Sequence, residues 1–286
     1  MKFKIFILTL IFLISNKANS QESRTEMALY NIGLGSISSG IGALINKNEY
    51  EKWHEVLLKG MAQGALGGYF IYESKNLIGK IEKEQKWEYG WYGKFVNSAG
   101  TSIIENAASN RNFWEKWHLN IGFNRIEFYT KDGFKVKYKI MPVSFILTST
   151  AFISPEAKFE FKRAIQTGEF IFSNDNPKYK SGATTFGNLF ILSKERLNDH
   201  KLFAHEIIHI YQYYDYNFVN TFLNKQRNLW TNSSKTFKKI DNILYLDMQI
   251  PLLGGLYLIE NQNIDSTTDN FFEYEAGFYS RTNNQE

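Results

Sequence analysis

The hydrophobic period of the chain changes at His118, and that switch limits the folds open to it. Before it, residues 49–59 (EYEKWHEVLLK) put Trp53, Val56 and Leu57 on one side at helical spacing, and residues 97–118 read as a small-residue helix ending in an aromatic cluster. After it, HLNIGFNRIEFYT and FKVKYKIM alternate around Lys131-Asp132-Gly133, and Asp-Gly between alternating runs is a strong hairpin signal. KFEFKRAI and GEFIFS predict a second hairpin meeting at Gln166-Thr167-Gly168, and FGNLFILS (186–193) one more strand. The expectation is an antiparallel sheet of about five strands that feeds a helix over 198–223, where Leu202, Phe203, Ile207, Ile210 and Tyr214 recur at three- or four-residue steps. Asn198 or Asp199 caps that helix, and a last short helix covers 270–279 with Asp269 or Asn270 as its cap. The fold class is therefore α+β, an antiparallel sheet followed by a helix, with a glycine-rich helical region ahead of it.

The first twenty residues read as an export leader, with Lys2 and Lys4 before the apolar run Ile5 to Ile14 and small residues at Ala18-Asn19-Ser20 for cleavage. Domain boundaries follow: leader 1–20, glycine-rich helical region 21–116, and region 117–286 continuous with it. Export places the mature chain in the periplasm or outside the cell, or on the envelope. Removing Lys2, Lys4 and Lys17 with the leader lowers the formal charge from +4 to +1, and no Lys/Arg run remains to neutralise phosphates, so nucleic acid is disfavoured as a partner. Residues 28–46 and 60–72 share an uncharged, Gly/Ser-rich texture, and Gly60, Gly64 and Gly68 lie on one helix face. That face allows close helix packing in a soluble core, the preferred reading, or peripheral membrane contact through residues 28–72. Oligomeric state is not readable. His54 is expected to be solvated, and Glu105 either caps or is a buried polar residue.

With no cysteine in the chain, disulfides, thiol nucleophiles and cysteine metal sites are all excluded, so a transition metal must be held by His, Asp or Glu. Three of the five histidines, His200, His205 and His209, fall within ten residues. His205 and His209, four apart on a helix, project from one face and can reach one ion. Glu206 between them is placed to take a proton from a water that the metal acidifies. A catalytic zinc site needs a third protein ligand, and FEYEA (272–276) offers Glu273 and Glu275 more than sixty residues downstream.

On HEIIH plus FEYEA, the chain resembles the gluzincin-type zinc metallopeptidases, in which a Glu on a later helix completes HExxH. The resemblance covers those segments alone. It implies a zincin-like fold, bound Zn2+, a peptide or protein substrate, Glu206 as general base, and His205, His209 and one glutamate as ligands. An E-x-x-A-D pattern puts the ligand at Glu273 and an Asn-Glu-Ala type at Glu275, which is slightly preferred. Both patterns carry an Asp four residues on, where this chain has Gly277 or Tyr279, so support for a ligating histidine must come from elsewhere. A metzincin arrangement would use Asp215, but Gln212 stands where its chain reversal needs glycine. Tyr211, Tyr213, Tyr214 and Tyr279 are oxyanion-donor candidates, His200 a substrate contact, and Gln212 an orienting group. FGNLFILS is expected at the sheet edge along which a peptide lies. The second reading is a non-enzymatic envelope protein with a structural or vestigial zinc site, and a third is hydrolysis of a non-peptide amide.

Overall fold

The computed structural model describes residues 24–176, 182–262 and 270–281; the leader and its cleavage site lie outside them. Three long helices come first: α1 (Arg24–Asn46), α2 (Trp53–Glu84) and α3 (Tyr89–Ala108). Glycine brings them together. A Cβ on Gly64 would run into Gly35 O and Ser39, and one on Gly68 into Asn31 O, so α1 and α2 touch backbone to backbone, while Gly67 and Gly100 do the same for α2 and α3. Of the described helices, α1 alone is long and apolar enough to cross a bilayer. His54 is exposed.

Strands β1 (Lys116–Ile121), β2 (Asn124–Tyr129) and β3 (Lys135–Ile140) form one antiparallel sheet, with the expected hairpin closing at Gly133, whose φ is +89°. Pro142 then opens α4 (Pro142–Ile153), where its fixed φ suits the first helical turn. The second predicted pair forms without its tight turn: β4 (Ala157–Phe159) runs antiparallel to β5 (Phe170–Asn174), with Lys158 opposite Ser173. Between them residues 161–167 wind into α5 (Phe161–Thr167), which Gly168 ends at φ +79° in the left-handed conformation. Lys162, Arg163, Ala164 and Gln166 are good helix formers, and the Gly168 cap decides between the two readings.

Strands β5 (Phe170–Asn174), β6 (Ala183–Phe186) and β7 (Leu189–Ser193) join β4 in a separate four-stranded sheet of order β4-β5-β7-β6. β4 pairs with β5 and β6 with β7 antiparallel, but β5 pairs with β7 in parallel, so the sheet is mixed. The single five-stranded antiparallel sheet is thus replaced by two sheets. Within FGNLFILS, Leu189–Ser193 is the interior strand β7, and the sheet edges are β4 and β6.

Helix α6 (His200–Asp215) follows, capped by Asp199, whose Oδ1 accepts from Leu202 N at 3.0 Å. Its apolar residues Phe203, Ala204, Ile207, Ile208 and Ile210 are completely buried in one cluster with Phe190 and Leu192 of β7 and Ile78 and Ile81 of α2. The helix stops short of the predicted 223. Residues 217–223 are a 3-10 segment in which the buried Asn220 side chain turns to Tyr245 and Gln249, the competition with helical bonding that asparagine offers. Helices α7 (Asn224–Ser233), α8 (Lys235–Ile243) and α9 (Gln249–Asn261) lead to α10 (Phe271–Ser280), capped by Asn270 on Phe272 N at 2.8 Å. The architecture is α+β.

Candidate metal centre

The fixed point is α6, locked by burial on three sides. Its flank carrying His205 and His209 remains partly open, their side chains being 15% and 12% exposed, while Glu206 is buried. Helix α10 packs across α6 by burying Phe272, Ala276 and Tyr279. That packing sets its rotation, and Glu273 is thereby directed at the histidine pair.

Glu273 Oε2 lies 3.1 Å from His205 Nε2 and 3.4 Å from His209 Nε2, and the two nitrogens are 3.0 Å apart. Donors bound to one tetrahedral zinc at about 2.0–2.1 Å stand roughly 3.3–3.4 Å from each other. The three atoms therefore outline one face of such a tetrahedron, and among the described residues this is the cluster whose donors converge closely enough to hold a metal. The donor set, two imidazoles and a carboxylate, suits zinc.

Glu275, slightly preferred from sequence, is not part of this cluster. Positions two apart on a helix differ by about 200° in direction, so α10 can present only one of its glutamates to α6. Glu275 is buried instead against Lys75 of α2, Oε1 to Nζ 2.7 Å, and Lys75 also binds Asp215 at 2.6 Å. Asp215 thus belongs to the same ion triad and not to the histidine pair.

Support for His209 comes from α6 itself. Gln212 Nε2 donates to Phe272 O at 2.8 Å and to Glu275 Oε2 at 2.9 Å, which turns its Oε1 to His209 Nδ1, 2.9 Å away. His209 Nδ1 then carries the proton and Nε2 offers its lone pair. His205 Nδ1 faces Ser280 Oγ at 3.4 Å.

Electrostatics around the pair are strong. Burial works against a charge on His209, but the hydrogen-bonded Glu273 and the nearby Glu206 push its pKa up to about 9. Burial likewise opposes the charge on Glu273, yet the two histidines hold its carboxyl well below the usual range. The site is built for a positive charge beside Glu273, whether supplied by a proton or by a cation.

Two contributors carried no sequence signal. Thr185, on the edge strand β6, donates its hydroxyl to Glu206 Oε2 at 2.6 Å, and Tyr257 of α9 donates to Glu273 Oε1 at 2.8 Å. Neither lies near a motif, and each arrives through tertiary packing. The proposed tyrosines fare differently: Tyr211 and Tyr214 are buried in the main core, and the Tyr279 hydroxyl meets Asn31 at 3.5 Å. His200 stacks on Trp87 with ring centroids 3.8 Å apart. Glu105 proves to be buried, bound to Arg125 at 2.6 Å.

Comparison with family models, with curated proteins and with solved structures gives no match.

Proposed function

We propose that the chain is an exported zinc-dependent peptidase of zincin-like architecture, in which His205, His209 and Glu273 hold the metal and Glu206 is the general base. The convergence of three donor atoms at 3.0–3.4 Å, with Glu206 next to His205 on the same helix, carries this reading. Zinc there would acidify a water molecule and polarise the scissile carbonyl. Glu206 takes a proton from the water as its oxygen attacks the carbonyl carbon, and returns it to the amine as the C–N bond breaks. Thr185 fixes the carboxylate for both transfers. Tyr257 engages Glu273 Oε1 and so leaves Oε2 as the ligating oxygen.

The substrate class rests on β6. This edge strand carries Thr185, so an extended peptide pairing along its open side would pass beside Glu206. Export is supported by residues 1–20. The test is Glu206→Gln: it is expected to keep its zinc, measured by elemental analysis, and to lose about 10²–10⁴-fold in hydrolysis of an unfolded protein substrate. Unchanged turnover would reject the mechanism. A wild-type chain that binds zinc but cleaves neither peptide nor other amides would favour a structural or vestigial site.

A further inference from the structure

A cavity of about 410 Å³ opens where the ends of α1 and α3, the β1–β3 sheet and residues 220–245 meet, and it shares no residue with the metal centre. Five cations, Arg111, Lys116, Lys139, Lys225 and Arg227, line it with three carboxylates, Glu105, Glu127 and Asp241. Those carboxylates are already committed. Glu105 and Glu127 bind the buried Arg125 guanidinium at 2.6 and 2.9 Å and Lys116 at 3.6 and 3.2 Å. Asp241 takes Arg227 at 2.6 Å and lies 4.0 Å from Lys139.

Cations therefore outnumber carboxylates around the cavity. Burial holds Lys116 and Lys139 below their usual values, against the opposing attraction of Glu105 and Glu127 on the first and of Glu127 and Asp241 on the second. Two cations have no ion pair with a carboxylate among the described residues. Arg111 reaches Ser109 Oγ through Nη2 at 2.9 Å and leaves its buried Nε without an acceptor. Lys225, on the rim, donates to the uncharged Lys47 O at 2.9 Å. Around them stand the amides and hydroxyls of Asn48, Asn228 and Thr231.

We propose that this cavity binds a small phosphate monoester with a polyhydroxylated body. Arg111 and Lys225 take the phosphate, whose charge of about −1.5 to −2 at neutral pH matches two uncommitted cations, and Asn48, Asn228 and Thr231 meet the hydroxyls. A neutral or apolar ligand would leave the excess charge uncompensated.

Calorimetric titration of the mature protein at low ionic strength, where screening is weak, tests this with glycerol 3-phosphate and with glycerol. Glycerol 3-phosphate is expected to bind saturably and glycerol not at all. Arg111→Ala and Lys225→Ala should each weaken binding at least about tenfold by removing a charge-assisted contact. Lys225 is exposed, so its variant should fold normally. Co-sedimentation with phosphatidic acid vesicles, lost in the same variants, would identify a lipid headgroup as the source, and binding of the soluble ester alone a free metabolite. No saturable heat, or binding that survives both variants and hence lies elsewhere, such as at the metal centre, would overturn the proposal.

Discussion

Gln212 accepts a hydrogen bond from His209 Nδ1 at 2.9 Å, and the two residues sit one turn apart on α6. A neutral amide suits this contact because Glu275 already supplies the negative charge behind Gln212, 2.9 Å from Nε2. The orientation of His209 thus depends on the ion triad of α2, α6 and α10.

Gln212→Ala should lower zinc affinity about 10–100-fold, the usual effect of losing a group that orients a ligating histidine. Competition with a chelator of known affinity measures it. Gln212→Glu should not rescue the loss, because it sets a second carboxylate against Glu275. Wild-type affinity in Gln212→Ala would show that His209 needs no such support.

Glu273 and Glu275 separate metal binding from folding. Glu273→Ala should abolish stoichiometric zinc with little loss of stability in the apo protein. Glu275→Ala should keep a metal site but cost about 3 kcal/mol in urea unfolding, since it strips one partner from the fully buried Lys75. Stoichiometric zinc in Glu273→Ala, lost instead in Glu275→Ala, would return the ligand role to Glu275.

What could be read from the sequence was local. His205 and His209 four apart, Asp132-Gly133 between alternating runs and Asn270 ahead of a helix each act within a few residues, and each appears in the fold as expected. Which glutamate meets the histidine pair was not local, because choosing between Glu273 and Glu275 requires the rotation of α10, which Phe272, Ala276 and Tyr279 set by burial against distant residues. The same limit hid Thr185, Tyr257 and Lys75. Residues 161–165 differ for another reason: KFEFKRAI alternates well enough for a strand, yet its helix formers precede a glycine able to cap them.

Thr185→Val keeps the shape of the side chain and removes the donor to Glu206 Oε2. Zinc content should be unchanged, and kcat should fall about tenfold, the value of one charge-assisted hydrogen bond. KM should move little if Thr185 positions the base and does not bind substrate. A fall confined to KM would assign Thr185 to substrate binding along β6.

Acid should weaken the fold through His118, whose ring is buried against Ser102, Thr101 and the ion cluster of Glu105 and Arg125. Burial, with Arg125 beside it, pushes His118 down to about 4 despite the favourable Glu105. A histidine depressed in the folded state takes its proton more readily once unfolded. Its contribution is therefore complete above the ordinary histidine value near 6.5 and declines as pH falls from there to about 4, by at most about 1.4 kcal/mol per unit. Glu105 and Glu127, held low by Arg125 and Lys116 against the opposing effect of burial, extend the loss below the ordinary carboxylate range. Urea midpoints of the zinc-free protein should fall between pH 7 and 5, and His118→Asn should flatten that slope while lowering stability at pH 7. An equal slope in wild type and His118→Asn would place the acid sensitivity elsewhere.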